Sequence, residues 1–556
     1  MRKINRPALA AAVLVLSLWH LRDVQAGASA SGDHWLTSGY LLLAAAAAGL
    51  LGALYWLFYG RKSPGAGTVL SDRLPGIYLL AGFGFGLLYL LVLPPLSAPD
   101  EISHYISAYE LSSRFLGKEA TAPDGHVLVR AADIWVEDVH GARQYEQQED
   151  GYLQILPGGS EGAEVLGQTL TEDTYREIKS RLAGGKGSRG TGGAEQKEAL
   201  VISPYPPVVT TPAAYVPQAF GMALARALGA GALGMLYLGR LFNLAFFVGM
   251  TCGAMRRLPF GREVLFGVAM LPMTLHLSAS LSYDVMIMAC MFCLTAVCLD
   301  LAYKKNQVSW GDVAVLAALM AAAGPCKMIY AVLMGLCLLI PAKKFGSRRR
   351  WLLSAAAVAG ALFLGMALIN GRTIAAYATG TDAYVEWAGE TGYSLSLLLH
   401  NPLLAVRMFY QTFLWQAQQL HLTMIGSSLG NLDEVLDVPY LMVVFFTGGL
   451  ILLALKKPGE RKLMPAGGRI WTGVLCAGCV LAAMLSMLIA WTPLSSPVIT
   501  GVQGRYFLPF LPALLMILKN DTLVLTKDIN RSILYLMCCA QGYVLLRLYS
   551  IVSMRL

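Results

Sequence analysis

Runs of roughly twenty mostly apolar residues, the length that crosses a bilayer, recur from one end of this chain to the other, as at 37–59, 284–303 and 471–491. No other feature constrains the fold as strongly. A chain with so many such runs reads as an all-α polytopic membrane protein. Composition agrees. Of 556 residues, 56% are hydrophobic and 14% charged, where soluble domains carry about 25% charged. The bilayer is the expected environment, and no nucleic-acid partner is expected.

All ten cysteines fall in apolar segments and the longest polar segment has none, which argues against a disulfide framework. Cys290 and Cys293 form a lone CxxC inside an apolar run and read as packing residues. The start, "MRKINRPALAAAVLVLSLWH", is basic and then apolar, as in a cleaved signal peptide or an uncleaved anchor. Either leaves the residues that follow it outside.

Lysine and arginine cluster at Arg61-Lys62 with Arg73, Arg256-Arg257 with Arg262, Lys304-Lys305, Lys343 to Arg350, Lys456 to Lys462 and Lys519 to Arg531. The positive-inside bias assigns these loops to the cytoplasm. Ser97 to Thr211 is the reverse, with 18 Asp and Glu against 10 Lys and Arg, a net of −8 in a chain of net +9. It reads as one large external loop. Three parts follow: N-terminal spans over 1–96, the loop over 97–211, and a transmembrane core over 212–556.

Spans near 7–20, 37–59 and 75–96 leave Asp100 outside. Ten more are expected near 233–254, 263–281, 284–303, 310–323, 326–342, 351–371, 439–456, 471–491, 505–519 and 532–550, about 13 crossings in all. Parity then requires 212–229, with Pro212, Pro217 and Arg226, to lie in the interface. The stretch 396–420 should likewise lie flat or re-enter. No internal repeat is visible, which weakens a transporter built on repeated halves.

Unusual polar residues converge on the external face. Asp100, Glu101 and His104 follow the third span, and Tyr205 closes the large loop. Asp284 sits in "LSASLSYDVM", Lys327 in "GPCKMIY", and Gln503, Arg505 and Tyr506 in "GVQGRYFLP". Ionisable groups at membrane depth are costly and face a partner or cavity. Each also has a plainer reading: Asp100 as a solvated boundary, Asp284 as a helix cap, Lys327 and Arg505 as snorkelling cations. Cations on the outside oppose the positive-inside bias and call for an anion, of which a lipid phosphate is the obvious one.

Group transfer from a lipid phosphate suits this set. A carboxylate can take the acceptor hydroxyl's proton, and cations can stabilise the leaving phosphate. A divalent cation such as Mg or Mn, held by Asp100, Glu101 and Asp284, is left open. The chain has no Walker A motif, no nucleotide-binding glycine fingerprint on a strand–helix unit and no GxSxG. The donor is therefore expected from the membrane.

The blocks "PDEISHYISAYELS", "YPPVVTTPAAYVPQAFG", "LSYDVMIMA", "KMIYAVLMGLCLLIP" and "GVQGRYFLP" resemble the domain-of-unknown-function 2142 family of bacterial membrane proteins over about residues 75–520. That family is in turn similar to the GT-C superfamily of polyprenyl-phosphate-sugar glycosyltransferases. The resemblance implies a GT-C-like fold with an acidic base in the first large external loop, at Asp100 or Glu101. It also implies a second acidic position at Asp284.

The expected function is thus an inverting glycosyltransferase of the cell membrane. It would move sugar from a polyprenyl-phosphate donor to a surface glycan or lipid-linked acceptor. Asp100 is the expected base and Glu101 its alternative. His104, Tyr205, Asp284, Lys327, Gln503, Arg505 and Tyr506 would bind substrate. A polymerase or ligase using diphosphate-linked glycan, and then a transporter, are the rivals.

Overall fold

In the computed structural model of the chain, residues 6–60, 70–138, 144–147, 153–156, 179–180, 199–379, 384–427, 429, 436–460 and 464–555 are described. The protein is a helical membrane protein. Seven helices among these residues are long and apolar enough to cross a bilayer: Trp35–Gly60, Leu70–Val92, Ala232–Arg257, Asp284–Tyr303, Arg348–Ala376, Ala466–Ala490 and Asn530–Met554. The first apolar run lies in a further helix, Arg6–Ser31.

The other expected spans take different forms, and proline explains two of them. The run 263–281 is split into Arg262–Ala269 and Pro272–Ser278. Leu271 between them is extended (φ −69°, ψ 145°), the conformation that a following proline imposes. The run 505–519 holds Pro509 and Pro512 and forms only a 3₁₀ turn, Gly504–Phe507, and a short helix, Leu511–Met516. Trp310–Ala323 and Tyr440–Ala454 are short apolar helices, and Met328–Leu339 is a 3₁₀ helix.

Asp284–Tyr303 is the hub. Its apolar window is 89% buried within the protein, against 17% for Arg348–Ala376. The former is enclosed by Ala232–Arg257, Trp310–Ala323 and the 3₁₀ helix; the latter turns most of its side chains outward. Arg6–Ser31 and Trp35–Tyr55 pack on the C-terminal helix Asn530–Arg555.

The acidic segment is partly folded. A helix, Glu101–Phe115, runs directly from Asp100, and its first nine residues are all buried. Four short strands, β1 (Leu128–Arg130), β2 (Gln144–Gln147), β3 (Leu153–Leu156) and β4 (Leu200–Ile202), make a sheet in the order β1-β4-β3-β2. Only the β3–β4 pair is parallel. Nothing in the sequence reading anticipated this sheet. Apart from Ala199, the Gly-rich stretch 183–199 lies outside the described residues.

Val216–Ala227, the expected interface element, is 12 residues long, short of the ~20 a crossing needs. Arg226 does not meet lipid. It donates to the Ser112 and Ser113 hydroxyls (3.0 and 2.8 Å) and lies over the Tyr109 ring. Gly221 lets this helix touch Ala232–Arg257, because a Cβ there would come within 2.5 Å of the Leu238 carbonyl oxygen. Pro402–Ile425, from the other expected interface stretch, exposes Leu403, Val406, Tyr410 and Leu414. Its opposite face accepts backbone N–H groups of Ile499 and Gly504 at Thr412 and Thr423 (2.9 and 2.8 Å).

Candidate functional site

Asp100 stands at the joint between the "LPPLSAP" turn and the helix Glu101–Phe115. Its backbone is left-handed (φ 58°, ψ 19°), and Leu96 in the same turn also has positive φ (69°). Aspartate tolerates this better than most residues, yet the conformation still costs on the order of 1–3 kcal/mol. Asp100 also makes no side-chain hydrogen bond to the helix it precedes. An N-terminal aspartate ordinarily caps; this one is turned elsewhere.

It is turned to Arg505. A guanidinium nitrogen, Nη2, donates to Asp100 Oδ2 at 3.0 Å, and Nε lies 3.6 Å from Asp284 Oδ2. Lys327 Nζ lies 3.7 Å from the other oxygen of Asp284 and 3.6 Å from the centre of the Tyr506 ring. Four of the expected residues, from four distant stretches of chain, thus form one alternating cluster: Asp100, Arg505, Asp284, Lys327. The Asp100 side chain is 39% exposed and Arg505 only 4%, so the carboxylate faces the open side and the guanidinium lies behind it.

The cluster is electrically balanced but not chemically saturated. Arg505 Nε and Nη1 are buried without hydrogen-bond partners. Burying charge costs several kcal/mol per ion, and such pairs are weak stabilisers. Leaving guanidinium N–H groups unpaired adds to that cost. Apolar residues would fill this space at less cost, and a bound anion would satisfy the free donors.

Asp284 is not a cap. The helix begins with Tyr283 at its N-cap, and the Asp284 side chain runs to the two cations. His104, one turn beyond Asp100, is buried and shares a 2.7 Å hydrogen bond between Nδ1 and the Tyr215 hydroxyl. Its ring meets Tyr283 edge-on at 4.9 Å. Burial pushes its pKa down to about 4, although the carboxylates of Asp100 and Asp284 pull upward. His104 is therefore neutral near pH 7.

Glu101 belongs to a separate unit. Its Oε1 accepts from Arg240 Nε and the Leu281 backbone N–H (2.8 and 2.9 Å); its Oε2 accepts from Arg240 Nη2 and the Ala98 N–H (2.6 and 3.3 Å). Burial opposes its charge, but Arg240 prevails and holds its carboxyl below the ordinary range. All four acceptor positions are taken, so Glu101 has none to offer a substrate proton. Arg240 also donates to the carbonyls of Leu93 and Pro94, binding the turn before Asp100 to the turn before Asp284. Asn243 strengthens the second turn by donating to the carbonyls of Ser280 and Ser282.

Tyr506 forms one wall of the cluster beneath Lys327, and Gln503 receives the Tyr506 N–H at its carbonyl (3.1 Å). Tyr205 is buried in the main apolar core, with its backbone N–H bonded to Ser203 Oγ. A divalent cation does not fit the expected carboxylates. Asp100 and Asp284 flank Arg505, Glu101 is closed by Arg240, and no three metal-ligating side chains come together among the described residues.

The reading of the residues missed Arg240, Tyr215 and Tyr283. Arg240 carried a usable signal, a cation in the middle of the apolar run 232–257. Tyr215 lies within "YPPVVTTPAAYVPQAFG" and Tyr283 within "LSYDVMIMA", but an uncharged tyrosine in an apolar setting carries no signal of its own.

No curated protein and no solved structure shows detectable similarity to the chain. A family described as predicted membrane protein (DUF2142) matches residues 83–514, a stretch that includes Asp100, Asp284, Lys327 and Arg505. The chain belongs to that family of membrane proteins.

Proposed function

We propose that this protein is a membrane glycosyltransferase. It takes a sugar from a polyprenyl-phosphate donor and passes it to a surface glycan or lipid-linked acceptor at the external face of the cell membrane. One observation carries the reading: a buried arginine, paired with Asp100 and Asp284 and with Nη1 left without a protein partner, stands directly behind a solvent-reachable carboxylate.

In this mechanism the phosphate of the donor meets Nη1 of Arg505, with Lys327 beside it. The acceptor hydroxyl attacks the anomeric carbon from the face opposite the phosphate. Asp100 takes the hydroxyl proton as the new C–O bond forms. The bond from the anomeric carbon to the phosphate oxygen breaks, and its electron pair leaves with the phosphate. Arg505 and Lys327 stabilise that charge, and configuration inverts. Asp284 holds the two cations in place. Neutral His104 keeps Tyr215 and Tyr283 packed beside the carboxylates and takes no part as a charged acid.

The resemblance of the family to the GT-C superfamily, an expectation from the sequence, points the same way. The two adjacent cations also suit a diphosphate, which favours a polymerase or ligase as the second reading. A mass-spectrometric inventory of lipid-linked sugars in cells lacking the gene separates them. Accumulated polyprenyl-phosphate monosaccharide with loss of one glycan sugar supports transfer from a monophosphate. Accumulated diphosphate-linked repeats mean polymerisation or ligation instead.

A further inference from the structure

Two exposed tryptophans meet at the surface, one of them at the start of the loop that leads to Arg505. Trp387 sits on a small hairpin between the strands Tyr384–Val385 and Glu390–Thr391, and Trp491 follows the helix Ala466–Ala490. Their rings stack at 30° with centroids 6.2 Å apart. They are 39% and 36% exposed, so each keeps a substantial surface open.

The pair is built rigidly. The Trp491 carbonyl accepts from Trp387 Nε1 (3.1 Å) and from the Thr500 hydroxyl (3.0 Å). The Leu494 N–H donates to the Thr391 carbonyl, and Ser495 donates to the Glu390 carboxylate, so the hairpin and the 491–504 loop form one unit. Gly501, at φ +78°, lies against Trp491; a Cβ there would come within 2.6 Å of the ring. Only glycine lets the loop lie so close in that conformation. Four residues span at most about 14 Å, so the Gly501 Cα lies within that distance of the Arg505 Cα.

Tryptophans at a membrane boundary often anchor in lipid. The surroundings of this pair argue otherwise. Residues 384–396 and 491–504 contain no lysine or arginine, the groups that meet lipid phosphates, while Glu390 lies in the strand that follows Trp387. Thr391 and Ser495 present exposed hydroxyl-bearing side chains in the same unit. An electron-rich ring face in a unit that also carries a carboxylate and exposed hydroxyls matches the C–H faces and hydroxyl edges of a neutral sugar.

We propose that Trp387 and Trp491 form a docking platform for a neutral glycan chain, seating the acceptor beside Arg505. The platform rests on the transferase reading for its role as an acceptor subsite. As a glycan-binding site it stands without that reading.

The test uses the full-length protein in nanodiscs. The probe is a set of neutral oligosaccharides released from the envelope glycans of the cells that make the protein, with binding read by saturation-transfer NMR. Binding to the wild type is expected, at least tenfold weaker in Trp387→Ala and Trp491→Ala, and retained in Trp387→Tyr. Absence of binding by the wild type, or equal binding by folded alanine variants, overturns the platform. A Trp387 fluorescence component quenched by brominated lipid, identified by difference from Trp387→Phe, would place the ring in the bilayer and also overturn it. Glycan binding without Asp100-dependent transfer keeps the platform and removes the transferase; transfer without glycan binding does the reverse.

Discussion

At the scale of single residues, Asp100 and Glu101 show how far two neighbouring carboxylates can diverge. Asp100 is strained, open and paired on one oxygen; Glu101 is enclosed and bonded four times. Their neutral amides should therefore behave differently. Glu101→Gln leaves Arg240 buried without its counter-charge, a loss of about 3–5 kcal/mol, and is expected to lower the thermal midpoint in detergent sharply. Asp100→Asn keeps a side chain that tolerates left-handed backbone, and its midpoint is expected to stay near the wild type. Equal losses would mean that Asp100 is also a structural residue.

His104 makes a pH prediction at the same scale. Folding lowers its pKa from 6.5 to about 4, so the unfolded chain takes up its proton first as pH falls. Above pH 6.5 His104 is neutral folded or unfolded and has no effect; as pH falls toward 4 the unfolded chain binds a proton the folded one refuses, and stability drops by roughly 3 kcal/mol in all. His104→Gln should show a shallower decline of thermal midpoint over that window than the wild type. Parallel declines would contradict the burial assigned to this ring.

At the scale of elements, the "GVQGRYFLP" segment depends on the helix Pro402–Ile425. Gly504 donates to Thr423 Oγ1, and a Cβ on Gly504 would clash with the Leu420 carbonyl oxygen. Backbone cannot yield as a flexible side chain can, so Gly504→Ala must displace Arg505 or the helix. Loss of transfer of at least tenfold is expected while the protein still reaches the membrane; wild-type transfer would show that the close approach is dispensable. The prolines of this segment and of 263–281 are plain in the sequence. Hydropathy nevertheless masks the breaks they cause, because a run's total apolarity does not depend on whether its helix is continuous. The β1–β4 sheet was hidden for another reason: its strands are three or four residues long, too short for alternation to show.

At the scale of the whole molecule, the convergence of Asp100, Asp284, Lys327 and Arg505 was legible because charges at the ends of apolar runs are few and each needs a partner. Which carboxylate met which cation was not legible. Adjacent residues entering a helix point in different directions, and Arg240 lies within an apolar span whose hydropathy hides it. The fold uses that difference, with Glu101–Arg240 binding two turns together from within and Asp100–Arg505 left open at the surface.

The most direct measurement complements cells lacking the gene with Asp100→Asn, verified at wild-type abundance in the membrane, and quantifies surface sugars and lipid-linked sugars together. The account predicts that the missing sugar stays missing and that polyprenyl-phosphate monosaccharide remains unused. Full restoration of the sugar by Asp100→Asn would contradict it and reduce Asp100 to a helix boundary.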